Sequence, residues 1–177
     1  MNTPEPSAPV NPETPASNAG VSAGPTQQYL SFFLGGQEYA TDILSVQEIK
    51  GWDTVTRVPY SPDYILGVIN LRGAIVPVVD LRVRFALPNA SFDAATVIIV
   101  VHVAGTRGER IVGIVVDAVS DVYSVGSENI QPPPDVMGSI DHMFVVGLAS
   151  LDSKLVIILD IDRLVLSSVL GDSKAAA

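Results

Sequence analysis

The sequence predicts an all-β (mainly β) protein built as two small five-stranded barrels with short helices, and three observations carry that prediction. The first is an internal duplication. Gly67 to Phe85, GVINLRGAIVPVVDLRVRF, recurs without a gap 80 residues later as Gly147 to Val165, GLASLDSKLVIILDIDRLV. Gly67 falls on Gly147, Leu71 on Leu151, Val76 on Val156 and Asp80 on Asp160. The second is the character of the apolar runs, which are short and β-branched and so suit strands better than helices. The third is their number: about five in each half, which close most economically as a small barrel that leaves no exposed edge. With 177 residues and 47% hydrophobic content the chain can bury a substantial core. One duplicated unit of about 70 to 80 residues would be marginal alone, so the two should lean on each other.

Taken in order, residues 1 to 26 hold six of the 13 prolines, no aromatic residue and no Lys or Arg, which reads as a disordered tail. It has neither the basic start nor the apolar middle of a secretory signal, and no later apolar run approaches the ~20 residues that span a bilayer. A soluble, cytoplasmic protein is expected. From Tyr29 to Leu34 and from Gln37 to Asp42 the pattern is a hairpin turning on Gly35 and Gly36. Val46 to Lys50 is strand-like, and Pro59 and Pro62 then exclude a helix from the loop RVPYSPDY. The first repeat follows as strand, turn, strand and short helical exit, with Gly73 as the left-handed residue of a three-residue hairpin loop and Arg72 lifted out beside it. Pro77 suggests an edge or bulged position, because a central strand cannot spare the amide. After Asp93 the hairpin pattern returns, with Ala104 to Gly108 as its loop, and Val119 to Val122 takes the part of Val46 to Ile49. The triple proline after Gln131 predicts a stiff loop, and the segment after Asp160 a terminal helix. The organisation expected is therefore a single domain over 27–170, with a first barrel at roughly 27–90, a second at roughly 94–162 and a helix at roughly 161–170. Residues 171–177 read as a disordered end.

Composition narrows the chemistry. There are no cysteines, which removes disulfides, thiolate metal sites and a cysteine nucleophile. A net charge of -9 argues against a nucleic-acid surface. The charge is uneven, however: between Lys50 and Arg84 the basic residues Lys50, Arg57, Arg72, Arg82 and Arg84 outnumber Asp53, Asp63 and Asp80, whereas the second repeat is acidic. Such a stretch is either an ordinary solvated face or a surface for an acidic partner. His102 and His142 have no plausible catalytic companions, and the Asp160, Asp162 pair is better explained by helix capping than by a metal. No phosphate-binding glycine loop or nucleophile elbow is present. No enzyme, no cofactor and no metal are expected.

What remains is surface. The second repeat turns through Asp152, Ser153 and Lys154, so the turn can be made without Asn70, Arg72 or Gly73. Folding is therefore a poor reason for Arg72 to stand at a hairpin tip. In Val46 to Ile49, alternation turns Val46 and Glu48 to one side and Gln47 and Ile49 to the other. Val46 is either partly buried with Glu48 merely solvated, or both stand at the rim of an interface.

The segments LGGQEYATDILSVQEIKG, VTRVP, ILGVINLRGAIVPVVDLRVRF, ERIVGIVVDAVSDV and LVIILDIDRL, in this order from about Tyr29 to Leu166, resemble the CheW-like domain family of bacterial chemotaxis proteins. That domain also ends the histidine kinase CheA and begins the adaptor CheV, but no room remains here for kinase, phosphotransfer or receiver domains. The resemblance implies two intertwined barrels of the Src-homology-3-like kind and a non-catalytic adaptor coupling chemoreceptors to CheA in signalling arrays. It implies two partners, the cytoplasmic hairpin tip of chemoreceptors and the CheA regulatory domain, and recruitment to membrane-bound arrays without insertion. Matched by motif, it implies receptor contacts at Ile43, Val46, Glu48, Asn70, Leu71 and Arg72. Kinase contacts are implied only coarsely, within Val112 to Val125 and Val145 to Leu159, at Val112, Val115, Val119, Val122, Val146, Leu148 and Val156. A small-molecule carrier, or another protein-interaction module on this fold, is the alternative.

Overall fold

The computed structural model describes residues 24–88, 90–135 and 140–169; of the segments 1–26 and 171–177 expected to be disordered, residues 1–23 and 171–177 lie outside them. The chain runs through β1 (Thr26–Leu34), β2 (Gln37–Asp42), β3 (Val46–Gly51), β4 (Ile65–Leu71) and β5 (Ala74–Asp80) to a one-turn helix α1 (Leu81–Arg84). It continues as β6 (Val97–Gly105), β7 (Gly108–Val116), β8 (Ala118–Gly126), β9 (Ile130–Gln131), β10 (Val145–Leu151), β11 (Lys154–Leu159) and helix α2 (Ile161–Val169). Thr26, expected in the tail, opens β1. The all-β expectation holds.

Two sheets are formed, in the orders β8-β1-β2-β11-β10-β9 and β3-β6-β7-β5-β4. Under the internal duplication β1, β2, β3, β4 and β5 correspond to β6, β7, β8, β10 and β11. The two orders then match strand for strand, except that the hairpins have changed places. The β1–β2 hairpin lies in the sheet of the second repeat, and β6–β7 in the sheet of the first, each joined by a parallel ladder, β11 to β2 and β5 to β7. Sheet membership thus crosses the division of the chain near residue 90.

Each sheet is apolar on both faces, which is why its runs read as nearly continuous hydrophobic sequence. The inward faces share one core that includes Phe32, Leu34, Tyr39, Leu81, Ile99, Ile114, Phe144 and Leu164. The other faces enclose separate clusters. Tyr29, Ala40, Val125, Ala149, Val156 and Ile158 pack in one sheet, and Ile69, Val76, Val78, Ile98, Val100 and Val115 in the other.

Neither sheet leaves its last long strand bare. Thr56, beyond β3, exchanges both backbone hydrogen bonds with Val68 of β4, at 2.9 and 2.8 Å. In the second repeat β9, beyond β8, pairs with Leu148 and Ala149 of β10. The crossing chain passes so close that only glycine fits beneath it. A Cβ on Gly67 would stand 2.2 Å from the Thr56 carbonyl oxygen, and one on Gly147 would stand 2.5 Å from that of Gln131. The glycine match in the repeat is thus a packing requirement, and both ladders shift register there.

Three local expectations are corrected. The repeat hairpins have two-residue loops, Arg72-Gly73 and Asp152-Ser153, all four residues at positive φ, which fits the twist of the flanking strands. The loop between β6 and β7 is likewise two residues, Thr106 and Arg107. β5 is an interior strand. Pro77 is accommodated because its ladder to β7 begins one residue later, at Val78.

Arg82, counted above in the basic stretch, is buried. Its Nε and Nη2 donate to Asp80 Oδ1 and Oδ2, both at 2.9 Å, and its Nη1 donates to Asp117 Oδ1 at 3.1 Å and to the Ser91 carbonyl. The Phe92 ring stacks on the guanidinium at 4.7 Å. Asp80 also caps α1, as the sequence suggested, accepting from the Arg82 amide. Asp117 Oδ2 accepts from the Gly35 amide at 2.7 Å, so one guanidinium ties β5 and α1 to the turn of the exchanged β1–β2 hairpin.

Two stability measurements check this account. Gly67→Ala, with φ at 149° and no room for a Cβ, should cost at least about 2 kcal/mol in urea denaturation, whereas an ordinary surface substitution stays within about 0.5 kcal/mol. Arg82→Met should cost about 3–5 kcal/mol, because it strands the Asp80 carboxylate in the interior.

Candidate protein-interaction site

The site expected around Arg72 is assembled from three elements. Asp42 caps a single 3-10 turn, Ile43–Ser45, its Oδ1 accepting from the Leu44 amide at 2.9 Å. Ile43 and Val46 are partly buried against the shared core, and Leu44 projects into solvent at 83% exposure. Along β3, Val46, Glu48 and Lys50 are half-buried while Gln47 and Ile49 are exposed. However, Val46 pairs with Val101 and Glu48 with Val100, whose side chains lie in different clusters. Val46 and Glu48 therefore face opposite sides, and not the same side as strict alternation predicts. A register shift between Val46 and Glu48 makes Gln47 the extra residue.

At the β4–β5 tip, Asn70 is exposed and its Oδ1 accepts from the Gly73 amide at 2.8 Å, so Asn70 shapes the turn. Leu71 is half-buried against the cluster around Ile69. Arg72 has φ 52°, a left-handed conformation that costs a residue of its kind about 1–2 kcal/mol. Asp152 occupies that place in the second repeat with φ 47°, and aspartate tolerates it better. Arg72 is therefore a poor turn residue in a turn that has a better alternative.

Its side chain reaches across the sheet. Arg72 Nη2 donates to Glu48 Oε2 at 2.8 Å, with the arginine side chain 73% exposed and the glutamate 24%. β3 and β4 stand at opposite ends of their sheet, so this ion pair links the two ends. Glu48 Oε1 is buried without a partner. The pair itself is worth only about 0.2–1 kcal/mol where solvent reaches it. The structure thus brings Arg72 and Glu48 together, whereas Val46 and Ile43 pack on the shared-core face and Leu71 on the other face of the sheet.

The seven coarse positions divide. Val112 and Val115 on β7 and Val156 on β11 are completely buried, so they cannot meet a partner while the fold is intact. β7 and β11 are interior strands covered on both faces, and a range drawn along them takes in core residues. Val119 and Leu148 are partly buried against the shared core, and Val122 and Val146 are exposed. Tyr60, Ile75, Phe92 and Leu155 are further exposed apolar side chains that the sequence reading does not single out. Ile75 and Leu155 occupy equivalent places in the two repeats, a signal the alignment did carry.

His102 and His142 are both exposed. Asp160 and Asp162 belong to no metal-holding group among the described residues. Asp160 Oδ1 accepts from the Arg163 amide at 3.1 Å, the helix-start role expected of it. Among the same residues no helix is long and apolar enough to cross a membrane.

The chain belongs to the CheW-like domain family, whose model matches residues 28–168. It is 48% identical over 149 residues to the chemotaxis protein CheW of Klebsiella aerogenes, covering 84% of this chain and 86% of that one. It is 39% identical to a probable chemotaxis protein CheW of Rhizobium etli, over 78% of this chain and 86% of that one. The crystal structure of the scaffolding protein TtCheW from Thermoanaerobacter tengcongensis superposes with a TM-score of 0.71 at 34% identity, covering 82% of this chain and 91% of that one.

One titration test follows from Asp162. Burial, and then the charges of Asp160 and Asp42, hold its carboxyl above the ordinary 3.8, against the pull of a hydrogen bond from the Ala104 backbone. A raised carboxyl pKa means the folded state disfavours the charged form, so this group costs stability at neutral pH and ceases to do so as pH falls. Asp162→Asn should therefore raise Tm slightly at pH 7, and the gain should vanish below the ordinary aspartate pKa.

Proposed function

We propose that the chain is a non-catalytic adaptor that couples chemoreceptors to the histidine kinase CheA in chemotaxis signalling arrays, working in the cytoplasm and recruited to receptors at the membrane. The observation that carries this reading is Arg72: a cation held in an unfavourable turn conformation, largely solvent-exposed, and aimed across the sheet at Glu48. The relatives named as chemotaxis and scaffolding proteins support this reading, and the family resemblance implies the partners. The interaction unit is residues 27–170 taken whole, since neither half completes its own sheet.

In this reading the apolar face of the receptor tip lies along Ile43 and Val46, the helix-in-groove mode of recognition, and Leu71 stands at the turn that presents Arg72. Arg72 then makes a charge-assisted hydrogen bond to an acidic or carbonyl group of the receptor. Glu48 holds the guanidinium in place until the partner arrives, and Asn70 fixes the turn that presents it. On the kinase side the exposed Val122 and Val146 are the contacts, with Val119 and Leu148 supporting them from partly buried positions.

The test compares wild type and Arg72→Glu for binding to a receptor cytoplasmic fragment and, in parallel, to the CheA regulatory domain. The substitution should weaken receptor binding by about 2 kcal/mol, roughly 30-fold, while leaving kinase binding and Tm nearly unchanged. A well-folded variant that binds the receptor as tightly as wild type would remove Arg72 from the interface.

A further inference from the structure

The duplication supplies an internal reference for the start of each helix. In the first repeat the backbone amide of Asp80 donates to the Tyr64 carbonyl at 2.8 Å, and in the second that of Asp160 donates to the Phe144 carbonyl at 2.8 Å; a helix begins at the next residue in both. Two residues on, however, the chemistry reverses. The first repeat has Arg82, whose guanidinium is enclosed by Asp80 and Asp117. The second has Asp162, so the carboxylate of Asp160 is joined by another carboxylate where its counterpart has a cation.

A third carboxylate stands nearby. β2 runs parallel to β11, Ala40 opposite Ile158, which places Asp42 beside the beginning of α2. Asp42, Asp160 and Asp162 line a cavity of about 210 Å³, together with Tyr29, Thr41 and Val146. The neutralisation available is slight. Asp42 accepts from the Gln27 side-chain amide and the Leu44 backbone, and Arg163 approaches Asp160 to 3.4 Å from a largely exposed position. Thr41, on the cavity wall, is fully buried, and its hydroxyl has no hydrogen-bond partner. Burial and then the charge of Asp42 push the Tyr29 hydroxyl upward, and Asp162 is raised as described. Both shifts run in the direction of an uncompensated negative site.

We infer that this cavity is a socket for an arginine side chain of a partner protein. The carboxylates do not form a metal-holding group, which favours a spread-out cation with several N–H donors over a compact ion. Apolar surface flanks the cavity: Val146 forms part of its wall, and Leu44 lies between its lining residues Asp42 and Ser45. Such surface suits the methylene stem of a long basic side chain. The guanidinium that the first repeat carries in its own chain is, in the second, supplied from outside. This assignment is independent of the role given to Arg72.

The test titrates the full chain with Nα-acetyl-arginine amide and, separately, with its neutral isostere Nα-acetyl-citrulline amide at low salt, following backbone amide shifts. The arginine compound should give saturable shifts centred on Asp42, Asp160 and Asp162, and the citrulline compound none. Asp162→Asn should weaken the response at least tenfold with no loss of Tm. Asp162→Arg, which recreates the arrangement of the first repeat, should abolish it. Equal responses to both compounds would overturn the socket. So would arginine-induced shifts spread evenly over exposed acidic residues such as Asp121 and Asp152, or an undiminished response in Asp162→Arg.

Discussion

Everything in this fold depends on the exchange of hairpins between two equivalent halves. A parallel ladder inserts β1–β2 beside β11 and β6–β7 beside β5, so each sheet is completed by the other half's strands. The shared core then forms between two surfaces that each belong to both repeats. This is how units of about 70 to 80 residues, individually too small to bury enough apolar surface, become one stable body. The buried Arg82 reinforces the arrangement at a junction between first-repeat and exchanged elements, where Asp117 also holds the amide of Gly35.

The same duplication explains how a symmetric scaffold carries an asymmetric surface. Places that must be occupied for the fold are occupied alike: Gly67 and Gly147 under the crossing chain, Asp80 and Asp160 before the helices. Places where the fold is indifferent have diverged. At the hairpin tip Arg72 replaces a residue that suits the turn, and after the helix-start aspartate Asp162 replaces a cation. Comparing the halves therefore separates what packing demands from what a partner would select, without reference to any other protein.

Much of this was legible in the sequence. The repeat, the hairpin on Gly35-Gly36 and the capping aspartates rest on local rules, whereas the length of the Arg72-Gly73 loop and the bulge that separates Val46 from Glu48 do not. The exchange did not rest on local rules, because alternation and apolarity say that a strand is buried and not which strand lies beside it. Arg82 was counted as surface since its burial depends on Asp117, distant in sequence. Val112, Val115 and Val156 were offered as contacts because a strand apolar on both faces has no pattern to tell an outer residue from an inner one. β9 escaped notice as two residues inside a proline-rich loop.

The exchange also fixes an order of events during synthesis. The sheet containing β3 to β7 has all its strands once residue 116 has emerged, but β1 and β2 must wait for β8, β10 and β11. The N-terminal hairpin therefore spends most of translation with no neighbouring strand on either side, and β1 finally pairs with residues about 85 to 100 positions away. Contacts so distant are slow to close. A chain arrested before β11 would present an open sheet edge in search of a strand, and a neighbouring nascent chain could provide one. The device that makes the mature protein a single unit makes its unfinished form dependent on isolation from its own kind.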